Sequence, residues 1–499
     1  MWMRVIMDPV SGASTSTVDQ QDAIDQFVDL AGRKLDSNGI FEWVTSGEVV
    51  DVNNALIALQ NEHGNDAADA ALDELADAGL LDTFVEEMYG AGTGGSVSAD
   101  GRATIFSNIA KIADGETQAK FANSLESTTN GADGYSRLED FAESLATHAS
   151  PQDKVEFIET LADESTKGRS SDYSGSFFST SIEGDPQAMA IATVLGSTQG
   201  VFAQEALNAL SPDQLNAVVD ASIEQRATIS SGGGHSGGST SGSVDASKFA
   251  DLANVVAQHG NIEQKAQVFD IAGNQVDGIA DASSFFAPVS GTEQAAADIT
   301  DGLTDILTSD TNAVVEELTY DRRFDDGRAL TNYAEQLIET EQTDKISSIQ
   351  VQLMLGNDGA GNHVQRFNEV GADGVATNAG KLGNFSGAVQ NAVDNIDATS
   401  AEKQALVTDV IGTTSSILGG TLGLAFPVAG FAVGVGGEAA KRGVDQLLDS
   451  PRASIDEQII DLAVPFNTTT NNVNRTSIAF SEFQDMIDQV ENANRRNGN

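Results

Sequence analysis

Few residue spacings in this chain could do chemistry, and each can be held against what its reaction demands. Gly90-Ala-Gly92-Thr-Gly-Gly95 fits G-x-G-x-x-G, the turn that sets a dinucleotide's pyrophosphate on a helix N-terminus. That use needs a strand before the glycines and a helix after them. Here the helical phrase FVEEMY comes first, so the motif reads as a loop. Gly374 to Lys381 approaches a phosphate loop, but its glycines stand one residue too far apart and Leu382 occupies the place of the required Ser or Thr. It too reads as a loop.

The histidines His63, His148, His235, His259 and His363 are scattered, and none forms an H-E-x-x-H pair or another metal-ligand spacing. Asp-Gly steps at Asp100, Asp133, Asp277 and Asp373 invite a calcium reading. A calcium hand needs acids or amides at its first, third and fifth positions, and Asp133 has Thr129 and Gly131 in the first two. Helix capping explains these turns better. With 75 acids in the chain, neighbours such as Glu86/Glu87 and Glu316/Glu317 arise without any selection for acid-base work. The sequence therefore assigns no catalytic residue, no cofactor-binding residue and no metal ligand, and leans away from an enzyme. A cell-wall hydrolase stays as an alternative without assignable acids.

One stretch stands apart by what it lacks. Val410 to Gly437, VIGTTSSILGGTLGLAFPVAGFAVGVGG, carries no charged side chain. As a helix rising ~1.5 Å per residue it would reach about 42 Å, beyond the ~30 Å apolar core of a bilayer. Gly419/Gly423 and Gly430/Gly434 are spaced by four, which puts small residues on one helix face for close approach of a second helix. Pro427 removes a backbone donor and disfavours helix at Phe426, so the expectation is two short helices meeting there. Arms of ~14 residues are too short to span a bilayer twice, but they can enter it partway or form one kinked span. The membrane-insertion candidates are Leu418, Gly419, Leu422, Gly423, Leu424, Phe426, Pro427, Val428, Gly430, Phe431, Val433 and Gly434. In the competing reading the same residues form a glycine-rich hairpin buried in a soluble core.

The elements that must hold these residues are helices. Apolar residues recur at spacings of three and four from residue 18 to 90, and strand alternation is absent. A loose phrase then repeats: SADGRATIFSNIAKIAD, SPQDKVEFIETLAD, SPDQLNAVVDASIEQ, NIEQKAQVFDIAG and SAEKQALVTDVIG. Each opens on a Ser or Asn able to cap the free amides of a first turn. Such units bury their apolar stripe only against neighbours. The fold class expected is all-α, an irregular array of stacked helical hairpins with a glycine-rich apolar hairpin near the C-terminus.

The organisation follows from the breaks. An N-terminal helical domain covers 1–165, and a helical extension with a Ser-rich loop covers 166–229. Residues 230–245 contain SSGGGHSGGSTSGS, a composition that behaves as a flexible linker. A second helical domain covers 246–400, with helices over 246–259, 262–275, 293–307, 328–341 and 344–355. A C-terminal helical domain over 401–499 holds the uncharged segment 410–437 and helices near 438–448, 455–462 and 477–492.

Composition narrows the partners. A chain of 499 residues with formal charge −49 repels phosphate backbones, so nucleic acid is a poor partner, and anionic lipid is disfavoured. Such an excess of acid suits a salty environment or a cationic partner. With no cysteine there are no disulfides, thiolate metal sites or cysteine nucleophiles. The opening MWMRVIMDPVSG lacks the apolar run of a secretory signal.

The string from SADGRATIFSNIAKIADGETQAKFANSL through SPQDKVEFIETLADES to ALSPDQLNAVVDA resembles the helical regions of Gram-negative polymorphic toxins and contractile-injection, type VI-like effectors, over roughly residues 45–225. The resemblance implies a secreted effector made in the bacterial cytoplasm and delivered without a classical signal peptide. It also implies protein partners, whether a delivery apparatus, a chaperone or an immunity protein. No nuclease, deaminase or peptidase motif follows residue 440, so membrane insertion by the uncharged hairpin is the toxic mechanism with residues behind it. The alternative is a noncatalytic structural or scaffold protein of a phage-like particle.

Overall fold

The computed structural model describes residues 17–35, 45–90, 95–128, 132–165, 178–183, 185–230, 239–280, 289–320, 324, 327–355, 377–410 except 404 and 408, 426–428 and 431–433. The fold is all-α, built of stacked helices with a small four-stranded sheet and a two-stranded one. Contacts divide the chain into two compact units, one of residues 1–173 and 185–209, the other of residues 174–184 and 210–499.

The first unit contains α1 (Thr17–Leu35), α2 (Ser46–His63), α3 (Asn65–Asp77), α4 (Leu80–Met88), α5 (Ala99–Ile112), α6 (Gly115–Ser127), α7 (Ala132–His148), α8 (Pro151–Ser165), α9 (Pro186–Gly196) and α10 (Gly200–Ala209). Local chemistry sets several of these starts. Ser98 accepts from the amide of Gly101 at 3.2 Å and Asp114 from that of Thr117 at 2.9 Å, satisfying donors that the first turn leaves orphaned. Pro186 stands at the start of α9, preceded by the capping Asp185, where a missing N–H costs nothing. The core is aromatic: Phe121 lies against Phe84, Phe106 and Phe141 with ring centroids 6.5, 6.0 and 4.9 Å apart. The tilted and edge-on geometries are those favoured by ring quadrupoles. Where α6 meets α8, Gly115 leaves no room for a side chain, since a Cβ there would fall 2.4 Å from the Asp153 carbonyl and the Phe157 amide.

The second unit begins with β1 (Phe178–Glu183) and continues with α11 (Pro212–Ser222), β2 (Glu224–Ser230), β3 (Ser239–Asp245), α12 (Ser247–His259), α13 (Ile262–Ala280), β4 (Val289–Ser290), α14 (Thr292–Ser309), α15 (Thr311–Tyr320), α16 (Arg328–Glu339), α17 (Thr343–Leu355) and α18 (Thr377–Asn395). The sheet runs β1-β2-β3-β4, antiparallel at the first two pairings and parallel at the last. Glycines again mark the tight crossings. A Cβ on Gly302 of α14 would lie 2.8 Å from the Ala253 Cβ of α12, and one on Gly273 of α13 would lie 2.9 Å from the Ala329 Cβ of α16.

Three expectations need correcting. The stretch 230–245 is not a linker throughout, because Ser239–Asp245 is strand β3, paired in register from Glu224↔Asp245 to Ser230↔Ser239. Ladder hydrogen bonds need only backbone, so a Ser/Gly-rich strand pairs without the alternation that would announce it. The chain divides at 209/210 rather than within that stretch, and the expected extension 166–229 is shared between the units. The segment around Pro427 is not a pair of helices. Residues 426–428 form β5 and 431–433 form β6, antiparallel, with Phe426↔Val433, Pro427↔Ala432 and Val428↔Phe431 opposed. Pro427 disfavours helix at the preceding residue, and Phe and Val favour strand. The expected helices near 438–448, 455–462 and 477–492 lie outside the described residues.

Candidate functional site

In the first unit α5 and α7 wall a cleft of about 460 Å³. Asp100 and Arg102 come from the first turns of α5, and Asp140, Glu143, Thr147 and His148 from α7. Spacings of three and four place Asp140, Glu143 and Thr147 on one face of α7. The arginine is already engaged: its Nη1 donates to the Val97 carbonyl at 2.6 Å, and its guanidinium lies 4.8 Å from the Tyr89 ring centre. Arg137 covers the same ring at 3.7 Å. Burial pushes the Tyr89 hydroxyl up to about 12 despite the two arginines, which act the other way. Asp140 is raised above the usual carboxylate range, first by burial and then by Glu139, with Arg102 opposing. The Thr147 hydroxyl donates back to the Glu143 carbonyl at 2.9 Å. The cleft thus gathers carboxylates and an imidazole, while its cation and its threonine are committed to holding the fold.

A second cluster surrounds the N-terminus of α6. Asp69 of α3 accepts from the Asp114 amide at 2.8 Å, and Glu156 of α8 accepts from the Gly115 amide at 3.3 Å. The free amides of the first turn and the positive end of the helix dipole draw these carboxylates in. Crowding has a cost. Burial, with Asp114 and Asp73 adding to it, pushes Asp69 up to about 6, and burial and then Asp114 raise Glu156.

The lysines follow a different rule from the acids. Lys34 of α1 reaches Asp51 of α2 at 2.9 Å, and Lys120 of α6 pairs with Asp73 of α3. Lys345 of α17 reaches Asp301 of α14 at 2.7 Å, and Lys381 of α18 reaches Glu316 of α15 at 2.6 Å. Lys248 of α12 meets Glu224 of β2 at 3.3 Å. Lys154 of α8 donates to the Ala146 carbonyl of α7 at 2.7 Å and to Ser197, the C-cap of α9, at 3.0 Å. Two negative helix ends therefore hold this ammonium, and burial lowers its pKa.

The residues singled out in the sequence are dispersed. His63 and His259 sit in the last turns of α2 and α12, His148 lines the cleft, and His235 and His363 lie outside the described residues. Among the described residues no His, Cys, Asp and Glu come together in a group able to hold a metal ion. Gly90 and Gly95 adopt positive φ, and the Val97 amide closes on the Met88 carbonyl at 2.9 Å. Gly92 lies outside the described residues. Lys381, the end of the phosphate-loop lookalike, is buried and paired with Glu316. Asp277 lies inside α13 rather than in a turn.

Of the membrane-insertion candidates, the structure brings Phe426, Pro427, Val428, Phe431 and Val433 together in the β5–β6 pairing. Leu418, Gly419, Leu422, Gly423, Leu424, Gly430 and Gly434 lie outside the described residues. The described start of the uncharged stretch turns inward, because Val410 is fully buried and its carbonyl accepts from the Ser347 hydroxyl of α17 at 3.1 Å. Among the described residues no helix is long and apolar enough to cross a membrane.

The chain matches no protein-family profile and no curated protein. Among solved structures it is similar to a chain of a homology model of the full-length AP-3 complex in an intermediate open conformation, with 9% identity, over 96% of this chain and 72% of that one. The TM-score of 0.23 is too low for the likeness to bear on fold or function.

Proposed function

We propose that this protein is a noncatalytic helical body that works by presenting its surfaces to other proteins. The observation that carries the reading is where the chemically capable side chains are spent. Lys34, Lys120, Lys154, Lys345 and Lys381 each tie one helix to another, and Arg102 is committed to Val97 and Tyr89. A body of this kind suits a scaffold of a phage-like particle. It suits equally the carrier part of an effector delivered by a contractile injection system, made in the bacterial cytoplasm and exported without a classical signal. Its partners are then a delivery apparatus, a chaperone or an immunity protein.

A second reading, membrane action through 410–437, is favoured by the absence of any charged side chain there. Vesicles loaded with dye separate the two. The scaffold reading expects no release by the purified full-length chain, and co-elution with the product of a flanking gene after co-expression. Release that Gly423→Asp or Phe426→Asp abolishes, with helical content retained, would establish membrane action and defeat the first reading.

A further inference from the structure

We propose that the exposed helix faces bind a diffuse layer of monovalent cations and that the native state requires it, so that the protein folds and acts at high ionic strength. The inference does not depend on the role proposed above. It rests on where the two signs of charge are placed, not only on their ratio.

The chain has 75 acids against 26 lysines and arginines. Lysine is ordinarily among the residues least often buried. Here the order is inverted: among the described residues the buried charged side chains are Lys154, Lys265, Lys381 and Glu224. Lys154, Lys265 and Lys381 are buried, while many carboxylates stay on the exposed faces. Asp22 and Asp29 on α1, Asp77 on α3, Glu86 on α4, Glu159 on α8 and Glu205 on α10 are all exposed. Lys34, Lys120, Lys248, Lys345 and Lys381 are instead paired across elements.

Folding gathers this charge, since residues three and four apart on a helix lie only ~5–6 Å from one another at Cβ. At 0.1 M salt the screening length is ~10 Å, so each carboxylate feels several others, and at 1 M it is ~3 Å and the repulsion is confined to nearest neighbours. Salt also weakens the cross-helix lysine pairs. With 75 acids against 26 lysines and arginines, most carboxylate repulsion lies outside any such pair, so the net effect is stabilisation. A counter-ion layer that is denser on the compact state than on the spread chain stabilises the compact state by mass action.

Thermal unfolding of the full-length protein in 0.05 to 3 M KCl tests this. The midpoint should rise by ~10 °C or more between 0.1 and 2 M KCl, with a much smaller rise in sucrose of matched osmolality. Replacing the six acids named above, Asp22→Lys, Asp29→Lys, Asp77→Lys, Glu86→Lys, Glu159→Lys and Glu205→Lys, should raise the midpoint at 0.1 M and flatten the KCl dependence. Should that variant fail to fold at every salt concentration, the Asn and Gln replacements at the same positions give the same comparison with half the charge change. A midpoint that is flat or falls with KCl, an equal rise in sucrose, or a charge-reduced variant with the parent's salt dependence would overturn the proposal.

Discussion

The seam between α6 and α8 and the seam between α13 and α16 are both built on a glycine, yet they meet their polar needs differently. At the first, Gly115 lets backbone approach backbone, and the exposed amides of Asp114 and Gly115 are met by the carboxylates of Asp69 and Glu156. At the second, Gly273 lets α13 approach Ala329, and the Gly273 carbonyl is met by the neutral amide of Asn332 at 3.1 Å. Tyr333, next along α16, turns its ring edge-on to Phe269 at 5.4 Å and shares a 2.8 Å hydrogen bond with Thr304. The same steric device thus serves two electrostatic designs, one that meets its backbone with carboxylates and one that meets it with a neutral amide.

The largest effect expected is in the aromatic core beside the first seam. Phe121→Ala should cost about 4 kcal/mol, because Phe121 is fully buried against three other rings and truncation leaves a cavity. Denaturant unfolding measures it. Gly115→Ala should follow at about 3 kcal/mol, since the added methyl meets rigid backbone, against about 2 kcal/mol for Gly273→Ala, whose nearest atom is a methyl. Equal costs would mean that both seams relax alike.

The charge difference predicts a pH difference. Asp69 is raised from 3.8 to about 6 in the folded protein, so the folded state binds the proton more tightly than the unfolded one. The stability this lends is complete below about 4 and lost as pH rises through 6. Asp69→Asn keeps an acceptor for the Asp114 amide and removes the titration. It should stabilise the protein at pH 7.5 by about 1 kcal/mol, a figure reduced because the group is only half-buried, and should flatten the profile between pH 4 and 6. Tyr333→Phe should be the mildest change, at about 0.5–1 kcal/mol. Thr304 still donates to the Thr300 carbonyl at 2.7 Å after the phenol is gone. That loss should be the same at pH 5 and pH 7.5.

Much of the helical frame was legible, because capping and periodicity are local. Ser98 and Ser211 cap the helices that their phrases open, and the helix starts near 246, 262, 328 and 344 fall within a few residues of those seen. What escaped depends on contacts far along the chain. EQRATIS and STSGSVD pair through backbone and carry no apolar alternation. Gly115, Gly273 and Gly302 look like weak points in a helix until the neighbouring helix is in place. The cleft was invisible for the same reason, since His148 is an isolated histidine until α7 lies beside Arg102 and Asp100 of α5. At Pro427 the strand tendency of Phe and Val outweighed the glycine spacing that suggested paired helices.

The claim that proton uptake is stronger beside the α6–α8 seam is tested most directly by amide hydrogen exchange of the full-length protein at pH 7.5 and pH 5, corrected for the intrinsic exchange rates. Protection across α6 and α8 should increase at pH 5 more than that across α13 and α16, where the raised carboxyl is Asp220 of α11, bonded to Gln275 of α13, and Asp69→Asn should reduce the increase in α6 and α8 alone. Protection that moves equally in both seams, or falls in α6 and α8 on acidification, would contradict the account.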